Sequence, residues 1–311
     1  MTWNRVDSGD PALPLYQVDN GSIALTFLPT VGGRLLSLTL HGRELLWRNP
    51  RYFDDTLRAV IPHVDWLRPN GTFSSWTNVG GSKTWPAPQG WGGPDEWAGP
   101  PDEVLDFGPW SIASWRQESA QVVTMTSGVD GRSGLQVTRE FTVPDQGTEF
   151  VLRIVFRNGV DRPITWSIWE VCQVLTHTDG FIEVDVEVPH VVDLGSYVSH
   201  LQVVESPDQV LIPVQDVVAK RGFPKALGSI RYVGPAGGVE LSSRPFAGIY
   251  PDHGSRVEVW MQFPTPAPLA ELDGLHPDAR LAELEVLSPL LRIEPGGSVE
   301  HIVHWSTFGH R

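Results

Sequence analysis

The stretch "LAELEVLSPLLRIEPGGSVEHIVHW" (281–305) alternates apolar and polar side chains in two runs that are separated by Pro and Gly. Alternation with a period of two residues is typical of a β-strand with one face in a core, and "PGGS" is a turn signal. Similar runs recur along the chain, among them "SIALTF" (22–27), "RLLSLTL" (34–40), "LQVTREFTV" (135–143) and "EFVLRIVFRN" (149–158). Many such strands predict an all-β fold, built as an antiparallel sandwich or barrel.

The chain has 311 residues, including 31 Gly and 27 Pro. This length suffices for one large β domain or two smaller ones. Because no linker or internal repeat interrupts the pattern, we predict a single domain over residues 1–311. Residues 48–115 differ from the rest, since they are rich in Trp, Pro and Gly and lack alternation. A long irregular segment inside a compact domain is usually functional.

The charge balance excludes several classes of partner. Lys and Arg total 23 against 37 Asp and Glu, so the formal net charge is −14, and no basic run is present. Nucleic acids and acidic membrane surfaces are bound by clustered Lys and Arg, so neither is expected as a partner. No apolar run approaches membrane-spanning length and the N-terminus lacks a signal-peptide pattern, so we expect a cytoplasmic protein. The oligomeric state is left open.

No cofactor or metal is expected. The sequence contains no G-x-G-x-x-G, P-loop, G-x-S-x-G or H-E-x-x-H pattern. In "IPHVDW" (61–66), His63 and Asp65 share one face if the segment is extended, but a single His-x-Asp pair is a weak metal signal. Cys172 is the only cysteine, which rules out a disulfide within the chain.

Tryptophan is concentrated in one part of the chain. An indole ring covers the C–H face of a sugar, and its N–H pairs with a hydroxyl. The concentration therefore indicates a carbohydrate ligand, the alternative being that these rings fill the core of the irregular region. Eight of the 13 tryptophans lie within 47–115: Trp47, Trp66, Trp76, Trp85, Trp91, Trp97, Trp110 and Trp115.

The segment "GGSKTWPAPQ" (80–89) combines glycines, prolines and polar side chains around Trp85. We predict a rim loop over a sugar site, in which the glycines permit a close backbone approach and the prolines stiffen the loop. Trp85 then offers a stacking face, while Lys83 and Gln89 offer partners for hydroxyl groups. A structural loop with a buried Trp85 is the alternative.

Two glutamates in "LAELEVLSPL" fall on one strand face. Leu284 and Val286 occupy the other face and must point into the core. Glu283 and Glu285 therefore point to the opposite surface, roughly 7 Å apart at strand spacing. Neighbouring carboxylates raise each other's pKa, which suits a general base near neutral pH. An ordinary solvated strand face is the alternative interpretation.

A second group of polar residues lies in "YPDHGSRVEVW" (250–260). Asp252 and His253 are predicted to occupy a turn, and Glu258 follows on a strand face. The alternative is that Asp252 has only a structural role, because Asp is common in turns, where its side chain hydrogen-bonds to the nearby backbone.

Taken in order, these stretches resemble the galactose mutarotase-like superfamily, to which the aldose 1-epimerases belong, and more narrowly a bacterial branch of it. The resemblance covers nearly the whole chain. It implies a large antiparallel β-supersandwich whose concave face binds a monosaccharide. The stretches that carry it are "VGGRLLSLTLHGRELLW" (31–47), "GGSKTWPAPQ", "GFPKALGSIRYVG" (222–234), "YPDHGSRVEVW" and the C-terminal 283–305.

The resemblance also implies a mechanism. In aldose 1-epimerases a glutamate takes the proton of the anomeric hydroxyl and a histidine protonates the ring oxygen; the ring opens, the C1–C2 bond rotates, and the ring closes to the other anomer. By position Glu285 matches the glutamate, since its strand precedes Pro289. The histidines of that family have no direct match here. Lys83, His63 or His253 is then the candidate acid.

Three functions remain open at the level of sequence. The first is a mutarotase with Glu285 as base, and the second is a sugar-binding protein without catalysis. The third is a glycoside hydrolase or lyase that pairs Glu285 with Glu170 or Asp252; such pairs stand about 5–5.5 Å apart in retaining and about 6.5–9.5 Å apart in inverting enzymes. The predicted substrate-binding residues are Trp85, Gln89, Trp169, Glu170, Asp252 and Glu258.

Overall fold

The computed structural model describes residues 1–90, 96–97, 99–235 and 237–309. In the first half of the chain the strands are β1 (Thr2–Val6), β2 (Leu15–Asp19), β3 (Ile23–Leu28), β4 (Arg34–Leu40), β5 (Arg43–Glu44), β6 (Ser82–Ala87), β7 (Ser111–Gln117), β8 (Ala120–Val129), β9 (Leu135–Pro144), β10 (Glu149–Asn158) and β11 (Ile164–Val174). The second half contributes β12 (Phe181–Val186), β13 (Val192–Val198), β14 (Val204–Glu205), β15 (Gln209–Pro213), β16 (Val218–Phe223), β17 (Ala226–Gly234), β18 (Gly237–Ser242), β19 (Val257–Gln262), β20 (Leu281–Leu287), β21 (Leu291–Ile293) and β22 (Ser298–Phe308).

Helical structure is confined to single turns over the described residues. None of them is long and apolar enough to cross a membrane. They comprise 3₁₀ turns at His63–Asp65, Phe73–Ser75 and Ala270–Leu272, and a short segment α1 (Pro251–Gly254).

The strands form two large antiparallel sheets, which confirms the all-β sandwich. One sheet has 12 strands, in the order β1-β2-β3-β4-β6-β11-β20-β19-β16-β13, with β5 beside β4 and β21 beside β11. The other has 10 strands, in the order β14-β15-β12-β17-β18-β22-β10-β9-β8-β7. We call them the first and the second sheet.

The core lies between the two sheets and is built from the alternating residues that the sequence indicated. On β9 every second residue is buried, from Leu135 to Val143. Phe141 of that strand meets Phe27 of the first sheet edge-on, with ring centroids 5.0 Å apart. Leu284 and Val286 of β20 are buried in the same core, as predicted. The opposite face of β20 is therefore turned away from the second sheet.

Part of the irregular region covers the outer face of the first sheet. Its aromatic residues form a second apolar cluster with β2–β4. This cover leaves only the central and later strands of the first sheet free to form an open surface. The cluster consists of Leu13, Leu15, Leu28, Val31, Leu36, Tyr52, Phe53, Trp66, Val79 and Phe107.

The stretch "GGSKTWPAPQ" is not a rim loop, contrary to prediction. Residues 82–87 form the buried central strand β6. Its prolines suggested a loop, but β4 pairs with β6 only at Leu35 and Ser82, so Pro86 lies where no neighbour on that side needs an N–H donor. The glycines do serve a close approach, but to the sheet: a Cβ on Gly81 would lie 2.3 Å from the Leu35 carbonyl oxygen.

Candidate functional site

Six neighbouring strands carry a cleft on the free face of the first sheet. They are β6, β11, β20, β19, β16 and β13, in that spatial order. The cleft has a volume of about 440 Å³. Aromatic rings form much of its wall, contributed by Phe73, Trp76, Trp85, Trp169, Tyr197 and Trp260.

The strand register brings the ionisable side chains of this face together. Glu258 on β19 is paired directly with Glu285 on β20, and Trp260 is paired with Glu283. Residues that are paired across two strands point to the same side of a sheet. Glu285 is also paired with Val171 on β11. Since β11 lies between β20 and β6, the face that carries the site extends across β11 toward β6.

Lys220 on β16 holds two of the carboxylates. Its ammonium lies 2.6 Å from Glu258 Oε2 and 3.0 Å from Glu285 Oε2. It also stands 4.3 Å from the centre of the Trp169 ring. Trp169 Nε1 donates a 2.7 Å hydrogen bond to Glu285 Oε2. One oxygen of Glu285 is thereby fixed from two sides.

The electrostatics of this trio follow from burial and charge. Burial raises the pKa of the Glu285 carboxyl, the Lys220 ammonium opposes that shift, and the Glu283 carboxylate adds to it. Burial also raises the pKa of Glu258 well above its usual range, against the effect of Lys220. Burial alone would lower the pKa of Lys220, but the two carboxylates outweigh it and raise the pKa. A carboxyl with a raised pKa is suited to proton transfer near neutral pH.

A second buried pair lies beside the first. Lys83 Nζ stands 3.2 Å from Glu283 Oε1, which also accepts a 2.6 Å hydrogen bond from Gln173 Nε2. The ammonium of Lys83 packs over the rings of Trp85, at 4.3 Å, and Trp76, at 5.0 Å. Burial lowers the pKa of Lys83, and Glu283 opposes this shift.

Some buried polar atoms of this face lack a hydrogen-bond partner among the residues that the structure describes. They include Oε1 of Glu285, Oε1 of Glu258, Oε1 of Gln173 and Nε1 of Trp85. Each of these four residues is at most 2% exposed. Buried polar groups normally have partners, so these atoms mark a place where a ligand would complete the bonding.

The rim of the cleft includes a strained turn. Asp252 (φ 49°) and His253 (φ 60°) both adopt the left-handed backbone region inside α1, and both side chains line the cleft. Left-handed backbone costs free energy for residues other than Gly, although Asp and His adopt it more readily than most, and such residues recur at ligand sites.

Several solved structures have the same architecture. A TPR-domain containing protein of Parabacteroides distasonis is 15% identical, with a TM-score of 0.64 over 96% of this chain, and this chain spans 48% of that one. A candidate mutarotase, YeaD of Salmonella typhimurium, is 12% identical, with a TM-score of 0.61 over 99% of this chain and 94% of that one. A galactose mutarotase-like protein of Lactobacillus casei is 9% identical, with a TM-score of 0.56 over 94% of this chain and 100% of that one.

The chain has the galactose mutarotase-like fold. No protein-family model matches the sequence, and no curated protein matches it. At identities of 9–15% the likeness of the solved structures concerns the fold, and function has to be argued from the site.

The mutarotase-like fold places most of the predicted binding residues at one cleft. Glu285, Trp85, Gln89, Trp169 and Asp252 line it. Two further predicted residues lie just behind its surface: Glu258 beneath Lys220, and Lys83 between Glu283 and the rings of Trp76 and Trp85.

Glu170 does not belong to the cleft, which corrects the prediction. It follows Trp169 on β11, and successive residues of a strand point to opposite faces. Its carboxylate lies in the core between the sheets, where Arg139 Nη2 donates a 2.7 Å hydrogen bond to it and the hydroxyls of Ser82 and Thr84 donate two more. A two-carboxylate mechanism that pairs Glu285 with Glu170 is therefore ruled out by geometry.

His63 is also remote from the cleft. It lies in a 3₁₀ turn rather than an extended segment, so the predicted alignment with Asp65 fails. Its ring stacks on Phe107 and meets Trp66 edge-on, and it borders a different surface depression.

The tryptophans divide between core and cleft. Trp47, Trp66, Trp97 and Trp110 are buried packing residues, whereas Trp76 and Trp85 line the cleft. Trp115 is exposed on β7, and Trp91 lies outside the described residues.

Lys220 and Gln173 are two charged or polar site residues that the sequence did not indicate. Each lies on an ordinary strand with no motif around it, in "VAKRGF" and "ITWSIWEVCQV". Their role depends on which strands are neighbours in the sheet.

Proposed function

We propose that the protein binds a sugar in this cleft and interconverts its anomers, as an aldose 1-epimerase does, with Glu285 as the general base. The observation that carries the proposal is the state of the Glu285 carboxylate. One oxygen is held by Lys220 and Trp169, while Oε1 is buried without a partner among the described residues, and Glu285 lines a cleft walled by indole rings. An anomeric hydroxyl is a donor that fits Oε1.

His253 is the acid in this proposal. Of the three candidates, His63 lies elsewhere and Lys83 is sealed behind Trp85 and Glu283, whereas His253 is exposed at the cleft. Its proton passes to the ring oxygen while Glu285 takes the proton of the anomeric hydroxyl. After rotation about C1–C2 both transfers reverse, so the protein leaves each turnover in its starting state.

Sugar binding without catalysis is a second candidate. It is favoured by the complete burial of the Glu258 and Glu285 side chains, which are 0% exposed. Deep burial suits a rigid binding floor as well as it suits a base with a raised pKa.

Polarimetry separates the two candidates. Freshly dissolved α-anomers of hexoses and pentoses are followed with and without the protein, and His253→Gln is compared with His304→Gln, a control on the exposed face of β22 in the second sheet. Acceleration that is lost in His253→Gln and kept in His304→Gln supports the mutarotase. Binding of a sugar without any acceleration by the wild type supports the binding protein.

A further inference from the structure

The free face of the first sheet offers more acceptors than donors. Among the residues that the structure describes, the unpartnered buried atoms of this face include the acceptors Oε1 of Glu285 and Oε1 of Gln173 and the donor Nε1 of Trp85, while Oε1 of Glu258 lies behind Lys220. A buried group that stays unpaired costs about 1–3 kcal/mol, so the ligand that fits best donates hydrogen bonds to this face.

The two lysine side chains at the base of the cleft, Lys220 and Lys83, already form ion pairs with glutamates. The Lys220 ammonium contacts Glu258 and Glu285, and that of Lys83 contacts Glu283. An anionic ligand group would meet these carboxylates and, among the described residues, no unengaged lysine ammonium; His253 is the one further basic side chain of the lining. Burying such a charge without a partner is strongly unfavourable.

The lining of the cleft carries a negative excess. Among the described residues, its basic side chains are Lys220 and His253, while its acidic ones are Asp193, Asp252, Glu283 and Glu285. Asp193 is paired with Arg221 at 2.7 Å and Glu283 with Lys83 at 3.2 Å, and both cations lie outside the lining. Asp252 and Glu285 remain, and Glu285 shares the Lys220 ammonium with the buried Glu258. Three carboxyl groups thus face one ammonium, which favours a ligand with a positive charge.

Aromatic faces add to this preference. The ammonium groups of Lys83 and Lys220 already lie 4.3 Å from the ring centres of Trp85 and Trp169. Trp260 and Tyr197, with ring centroids 6.0 Å apart, present two more rings to the cleft. The negative face of an aromatic ring attracts a cation.

We propose that the cleft selects sugars without an anionic substituent and binds a sugar ammonium, as in a 2-amino-2-deoxyhexose, more tightly than the neutral hexose of the same configuration. This inference rests on the proposed sugar binding and is independent of whether anomers are interconverted.

Isothermal titration of the wild-type protein with matched sugars tests it. Each set contains, in one configuration, the neutral hexose, its 2-amino derivative, its N-acetylated amine, its uronic acid and its 6-phosphate, all at pH 6.5 and low ionic strength. We expect the amino sugar to bind about tenfold more tightly than the neutral hexose, and the two anions to bind more weakly than either. The N-acetyl sugar controls for the size of the substituent without its charge.

Asp252→Asn gives an independent check, because asparagine tolerates the left-handed backbone at φ 49°. It should reduce the ratio between amino and neutral sugar about two- to fivefold, the range typical of an exposed ion pair. If neutral sugars bind and the amino sugar gains nothing, or an anionic sugar binds most tightly, the inference is wrong and the proposed function stands. If no sugar of any set binds, the proposed function is itself wrong.

Discussion

Glu258 and Glu285 are direct cross-strand partners on β19 and β20, and the ammonium of Lys220 lies between their carboxylates, 2.6 Å from one and 3.0 Å from the other. Two buried carboxylates at such positions repel each other unless a cation or a proton compensates them. Lys220 supplies such a cation here, and Oε1 of Glu285 has no hydrogen-bond partner among the described residues.

Lys220→Met should destabilise the fold. It removes the ammonium and leaves two buried carboxylates without compensation, at a cost of roughly 3–5 kcal/mol in the free energy of unfolding. Urea denaturation measures this difference. Adding Glu258→Gln to the variant should restore part of the loss, because only one of the two carboxylates is then left. A single variant as stable as the wild type would show that Lys220 does not compensate the pair.

Glu283→Gln should move the acid limb of the pH–rate profile to lower pH. The base is active when ionised, and its pKa is raised by burial and further by the Glu283 carboxylate. Removing that carboxylate makes ionisation of Glu285 easier and lowers its pKa. The profile of kcat/KM against pH shows the shift, and a shift toward higher pH would contradict the assignment of Glu285 as base.

Glu170→Gln should reduce stability and spare catalysis. The carboxylate of Glu170 neutralises Arg139 between the sheets, where both side chains are 0% exposed. Its loss leaves a buried guanidinium uncompensated, at a cost of roughly 3–5 kcal/mol. Rates normalised to folded protein should match those of the wild type. If the fully folded Glu170→Gln variant loses much of the rate, Glu170 contributes to the chemistry after all.

His301 should make stability fall as the pH is lowered. Burial lowers its folded-state pKa to about 4, against roughly 6.5 for an unperturbed histidine in the unfolded chain. The unfolded state therefore binds more protons between these values, so stability is complete above pH 6.5 and is lost toward pH 4, by about 3 kcal/mol in all.

Unfolding free energies of His301→Gln and His304→Gln, measured from pH 7 to pH 4, test this point. His304 lies on the same strand but on its exposed face. The slope due to His301 should disappear in the first variant and persist in the second. Equal slopes in both would contradict the assignment.

Local alternation made part of this architecture predictable. Leu284 and Val286 are apolar and Glu283 and Glu285 are not, so the orientation of β20 followed from four adjacent residues. The same alternation places Trp169 and Glu170 on opposite faces of β11, because successive residues of a strand point to opposite sides of the sheet. Their joint assignment to the site was an error visible in the sequence.

Other features depend on contacts between distant parts of the chain. Lys220 reaches Glu285 only because β16, β19 and β20 are neighbours, and no local pattern specifies that order. The strand at 82–87 contains Pro86, and a proline in such a segment predicts a loop. The strand is possible because β4 pairs with only part of it, which the sequence does not show. The turn at His63 likewise follows from its packing against Trp66 and Phe107.

The central claim is that Glu285 acts as the base, and the substitution Glu285→Gln tests it most directly. The amide keeps the shape and still pairs with a hydroxyl, but it cannot take up a proton. Polarimetry of a freshly dissolved α-anomer, with wild type and variant at equal concentrations of folded protein, should show interconversion slowed by about 10²–10⁴-fold, with sugar affinity retained. If the variant accelerates mutarotation as well as the wild type does, Glu285 is not the base.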